Sequence, residues 1–157
     1  MLGRCPEIFV VAFGSLKNLS VFCPMFSAFG PAPVEERLRL GDVRVLVTTE
    51  ELYRRKVAGH RERLPGLRHV LVTGPFTGTL PGTESLSALL ADASDAFTIP
   101  DTDPEDMALL HFTSGTTGTP KGRSTFTRPS SPTMRRPPRP STSTPTTSSG
   151  APPTPAG

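Results

Sequence analysis

The stretch MALLHFTSGTTGTPKG, residues 107–122, decides how this chain is read. Its first six residues are almost wholly apolar and predict a buried strand. The next ten, Thr113, Ser114, Gly115, Thr116, Thr117, Gly118, Thr119, Pro120, Lys121 and Gly122, hold three glycines, five hydroxyl side chains and one lysine. Such a loop is built to cradle phosphate. Glycines let the backbone approach an anion and aim N–H groups at it. Hydroxyls add neutral donors, and the lysine supplies a mobile positive charge. Its place after a strand is where open α/β sheets bind ligands. A Walker A loop is excluded, because the residue five after Gly115 is Pro120 rather than glycine. GxGxxG is absent from the stretch as well.

Working outward, the preceding residues alternate helical and strand-like patterns. Ile8, Val11, Ala12 and Leu16 recur at helical spacing behind Pro6 and Glu7, which predicts a helix to about residue 18. Residues 20–26 (SVFCPMF) read as a short buried strand interrupted by Pro24. Residues 34–40 read as a short polar helix and residues 43–48 (VRVLVT) as a β-branched strand. A charged helix is expected over 50–64, with Thr49 as its N-cap and Pro65-Gly66 as its stop. Residues 69–73 (HVLVT) are another buried strand, and residues 84–91 a helix. Apolar strands spaced by helices indicate α/β architecture, a mostly parallel sheet with flanking helices.

Composition divides the chain. Residues 1–122 carry 12 Lys and Arg against 14 Asp and Glu, whereas residues 123–157 carry five Arg and no acid. In that tail 24 of 35 residues are Pro, Ser or Thr, too polar to offset its ordering entropy. The expected organisation is therefore a body, 1–122, and a disordered Pro/Ser/Thr/Arg-rich tail, 123–157. A mildly acidic body argues against nucleic acid as a partner. Two cysteines, Cys5 and Cys23, make no disulfide framework. The longest apolar run, residues 8–13, is six residues where a membrane span needs about 20, so no membrane partner is expected. A cytoplasmic setting fits these features. His60, His69 and His111 show no ligand spacing, and no metal ligand or catalytic acid–base residue is assigned.

TSGTTGTPKG resembles, at all ten positions, the phosphate-binding signature of the adenylate-forming (AMP-binding) enzymes: acyl-CoA synthetases, luciferases and peptide adenylation domains. With residues 14–31 and 41–57, the stretch is most similar to the acetate–CoA ligase branch, and the likeness runs over nearly all of residues 3–122. The resemblance implies an incomplete part of the family's large N-terminal domain, with Met1 at what looks like its interior. It also implies activation of acetate by ATP with Mg, through acetyl-adenylate and pyrophosphate, followed by transfer to CoA. Residues 113–122 would hold the β- and γ-phosphates, with hydroxyls from Thr113, Ser114, Thr116 and Thr117. Gly115, Gly118 and Gly122 would permit the turn, and Lys121 would neutralise developing charge. The family's ribose aspartate, phosphate arginine and C-terminal lysine have no counterpart assigned before Gly122, so the chain alone is expected to be inactive.

Three readings of the tail stand. With one nucleotide restored before Arg123, and GC-rich codons, RSTFTRPSSPTMRRPP reads AVHVHEAVVAHYATAA, like the continuation expected in this family; that is a frameshift or a sequence error. The tail is otherwise a plain linker, or an interaction segment around Pro137-Pro138-Arg139-Pro140. The alternative for the whole chain is a non-catalytic α/β module that binds nucleotide or a partner.

Overall fold

The computed structural model describes residues 1–114 and 120–126. Its elements in chain order are α1 (Glu7–Lys17), α2 (Pro31–Leu40), β1 (Val45–Thr49), α3 (Glu50–Lys56), β2 (His69–Thr73), β3 (Glu84–Ser85), α4 (Leu86–Asp92), β4 (Met107–Ser114) and β5 (Pro120–Phe126). β1, β2 and β3 form a parallel sheet in that order, with Leu46 beside Val70 and Val72 beside Ser85. β4 and β5 form a separate antiparallel pair. The mixed α/β architecture with parallel strands and flanking helices is as the residue pattern predicts.

The core lies where α2 and α3 cover the parallel sheet. Val34 and Leu38 of α2 meet Tyr53 of α3, and Leu46 and Val70 of the sheet close against them. Alternate residues of β2 face inward, so Val70 and Val72 are fully buried while His69 lies at the surface. α3 begins where the sequence places it. Thr49 Oγ1 accepts the Leu52 N–H at 3.3 Å, acids fill the first turn, and Arg54, Arg55 and Lys56 fill the last.

Four elements differ from the sequence expectation. The helix over 50–64 stops at Lys56 and continues as a 3-10 turn, Ala58–Arg63. Val57 is pulled into the core, Gly59 weakens the helix, and Arg61 donates to the carbonyls of Leu64 and Leu67 to finish the turn. Residues 20–26 make no strand. They make only isolated parallel bridges, Phe22 with Leu109 and Phe26 with Leu2, and Pro24 has no N–H to give a ladder. Residues 84 and 85 pair with β2 before α4 begins, and Ser85 Oγ caps that helix by accepting from Ala88 N at 3.3 Å. β5 also carries regular backbone four residues past the boundary that composition suggested, because ladder bonds are indifferent to side-chain polarity. The rest of the expected tail, residues 127–157, lies outside the described residues.

Candidate phosphate-binding site

The described ends of the signature segment lie on two antiparallel strands. The strand expected over 107–112 continues through Ser114, and the chain returns in β5 with Thr113 opposite Lys121 and Ser114 opposite Pro120. Antiparallel pairing holds the two flanks of the loop about one strand spacing, ~5 Å, apart. Gly115, Thr116, Thr117, Gly118 and Thr119, which the sequence assigns to phosphate contacts, lie outside the described residues. Thr113 is exposed on β4 just before them. Gly122 does not turn the chain. It sits inside β5 opposite Phe112, where an added Cβ would come within 3.3 Å of Leu110 Cδ1 and 3.7 Å of Phe112 Cε1. Its missing side chain leaves room for those two.

The hairpin is tied to the body on β4. Phe22 donates its N–H to Ala108 O at 2.9 Å and accepts from Leu110 N at 3.0 Å, so β4 lies between this segment and β5. Gly41, at the end of α2, brings the chain close enough that a Cβ there would meet Leu110 Cδ2 at 3.3 Å. Arg37 of α2 makes the third tie. Its guanidinium lies 4.2 Å from the Phe29 ring centre and 6.0 Å from that of Phe112, and Nη1 donates to Pro33 O at 2.9 Å. A buried guanidinium stacked on aromatic faces fixes the strand that leads into the loop. Sequence reasoning missed Arg37, and no local signal could have found it, since residues 29, 37 and 112 meet only in the fold.

β4 is entered through an acidic turn over residues 101–106, where Asp103 N donates to Asp106 Oδ2 and Glu105 N to Asp103 Oδ1, both at 2.8 Å. His111 lies on an exposed strand position opposite Arg123. His69 Nδ1 is 3.0 Å from Glu84 Oε1, and His60 Nδ1 is 3.8 Å from Glu35 Oε2. Among the described residues no three His, Cys, Asp or Glu gather as a metal site. Burial pushes the Cys23 thiol up, against the opposing pull of the amino terminus and Arg37, so it is no ready thiolate. Thr113 and the backbones of Ser114, Pro120 and Lys121 lie on the two paired strands that flank residues 115–119. No helix among the described residues is long and apolar enough to cross a membrane.

Comparison with known proteins bears on the family. The chain is 35% identical over 121 residues to the acetyl-coenzyme A synthetase of Bacillus subtilis (strain 168), covering 77% of this chain and 21% of that one. It is 36% identical over 92 residues to the sulfoacetate–CoA ligase of Cupriavidus necator, covering 59% of this chain and 17% of that one. Its fold matches a crystal structure of an anthranilate CoA ligase in complex with anthranoyl-AMP, with a TM-score of 0.70 and 26% identity over 80% of this chain and 24% of that chain. The chain thus spans about a fifth of the length of such relatives. The model of the AMP-binding enzyme family matches residues 1–125, and the chain belongs to that family.

Proposed function

We propose that this chain carries the phosphate-binding part of an AMP-forming acyl–CoA ligase whose acyl substrate is acetate. The reading rests above all on the signature at residues 113–122, whose two ends pair in β4 and β5, with the likeness to acetyl-coenzyme A synthetase in support. In the whole reaction the acetate carboxylate attacks the α-phosphate of Mg-ATP, and pyrophosphate leaves. The CoA thiol then takes the acetyl group from acetyl-adenylate and AMP departs. Within that sequence this chain binds and steadies the β- and γ-phosphates through the hydroxyls of Thr113, Ser114, Thr116 and Thr117. Lys121 offsets the charge that develops as pyrophosphate separates. No proton transfer is assigned to these residues.

The chain on its own does not turn over, because a fifth of the relatives' length omits most of the groups that stabilise the transition state. Residues 123–157 are a shifted reading of the continuing enzyme. The family match ends at residue 125, close to the point at which restoring one nucleotide yields AVHVHEAVVAHYATAA. Two experiments test these statements. The purified chain, given Mg-ATP, acetate and CoA, should release no pyrophosphate above background. Turnover abolished by Lys121→Ala would overturn the claim of inactivity. The gene, read across codons 115–157 and restored by one nucleotide, should encode a longer enzyme that prefers acetate to sulfoacetate. A preference for sulfoacetate would reject the acetate assignment, and an open gene with no family-like alternate frame would reject the shift.

A further inference from the structure

Between β2 and β3 the chain makes no regular structure, and residues 74–79 are all exposed. Outside the strand ladders, none of the backbone hydrogen bonds is made by residues 74–83. This segment is held at two places. At its far end Leu80 packs against the core. In its middle Thr77 donates its N–H at 2.9 Å and its hydroxyl at 2.7 Å to the carboxylate of Glu50. Thr79 bonds only locally, its N–H and its hydroxyl both meeting Thr77 Oγ1. Among the described residues no other hydrogen bond ties residues 74–79 to another element.

Glu50 is a firm point of attachment. It opens α3 directly after β1 and is buried, where an ionised carboxylate needs partners. Thr77 supplies two of them and Arg54 Nη2 a third at 2.8 Å. Bonds to a charged acceptor are stronger than neutral ones, so most of the hold on residues 74–79 depends on the charge of Glu50. The segment also has room to swing. Gly74 and Gly78 have φ of 74° and 68°, and a Cβ at Gly74 would meet nothing within 4 Å.

The charges around Glu50 are otherwise committed. No residue of 74–83 is ionisable. On the elements packed against α3, Arg37 donates to Pro33 O and Arg61 to the carbonyls of Leu64 and Leu67, while His60 and Arg63 face Glu35. We propose that residues 74–79 form a strap hinged at Gly74 and latched by Glu50, which opens as a unit when that carboxylate takes up a proton while the sheet beneath stays intact. It stands at the carboxyl ends of β1 and β2 and is independent of what the phosphate loop binds.

The test follows amide hydrogen exchange in the full chain at Thr77, Gly78 and Thr79, with Val70 and Val72 of β2 as references. At neutral pH, Glu50→Gln and Thr77→Val should each speed exchange at the strap amides about tenfold or more and leave Val70 and Val72 unmoved. In the parent, protection of the strap should fall as pH drops below the ordinary carboxylate range, and in Glu50→Gln it should be flat. Thr77→Val, at an exposed position, keeps the test open if Glu50→Gln fails to fold. Strap amides no faster in Thr77→Val, strap and β2 amides speeding up together, or a pH dependence that persists in Glu50→Gln would each overturn the proposal.

Discussion

Thr113 stands opposite Lys121 across the antiparallel ladder, so the two flanks of residues 115–119 are paired to each other through the backbone. The quality of the β4–β5 pairing therefore decides how firmly those flanks are held.

Gly122 is the sensitive point of that pairing. Alanine there meets Leu110 at 3.3 Å, a conflict that the end of a leucine side chain relieves by a small shift. Valine cannot be placed so easily. Gly122→Val should lower stability by about 1–3 kcal/mol, and Gly122→Ala by less. Thermal melts of the two variants beside the parent decide the order.

Arg37 anchors the strand that feeds the loop. Arg37→Met keeps the bulk but loses the stacking on Phe29 and Phe112 and the bond to Pro33 O. A loss of about 1–2 kcal/mol is expected. Arg37→Lys should not restore it, since an ammonium lacks the planar face that stacks. Denaturant titration gives the comparison, and full recovery in the lysine variant would contradict it.

Glu50 fixes the loop after β2. Its carboxylate accepts from Thr77 N at 2.9 Å and Thr77 Oγ1 at 2.7 Å and pairs with Arg54 at 2.8 Å. The Thr77 N–H first, then its hydroxyl, hold the Glu50 carboxyl below the ordinary range, with Arg54 adding a smaller pull. A depressed carboxylate contributes stability that is complete above the ordinary carboxylate range and is lost as pH falls through the folded-state value. Glu50→Gln should flatten that acid limb in melts recorded against pH, and an unchanged slope would exclude the assignment.

The amino terminus gives a slope of the same sign from a different cause, burial rather than hydrogen bonding. Burial lowers the Met1 amine from 8.0 to about 6, so between those values the unfolded chain binds more protons than the folded one. Stability should rise as pH climbs through that window and level off above it. Nα-acetylation removes the titrating group, and the slope across the window should fall away in the blocked protein.

Much of the body is legible in the residues. α1 and β2 follow from periodicity, and Thr49 announces α3. Elsewhere one signal hides another. Ser85 reads as helix interior until its hydroxyl is seen capping α4. Residues 20–26 have strand composition, but a strand needs neighbours, and this one has a bridge on either side and Pro24 between them. The loop residues themselves are plain in sequence. That they sit between antiparallel strands is not, because Ser124 and Thr125 look like tail while their backbone completes a ladder. Long-range ties such as Arg37 to Phe112 leave no local pattern at all.

The hairpin also sets how the molecule responds to load. Tension applied at the C-terminal end reaches β5 first and opens its antiparallel ladder from Phe126 inward, one bond at a time, like a zip. β1 and β2 run parallel over a buried core, so their ladder must be sheared as a block. Mechanical failure therefore begins at the pair of strands that flanks residues 115–119, while the parallel sheet still stands.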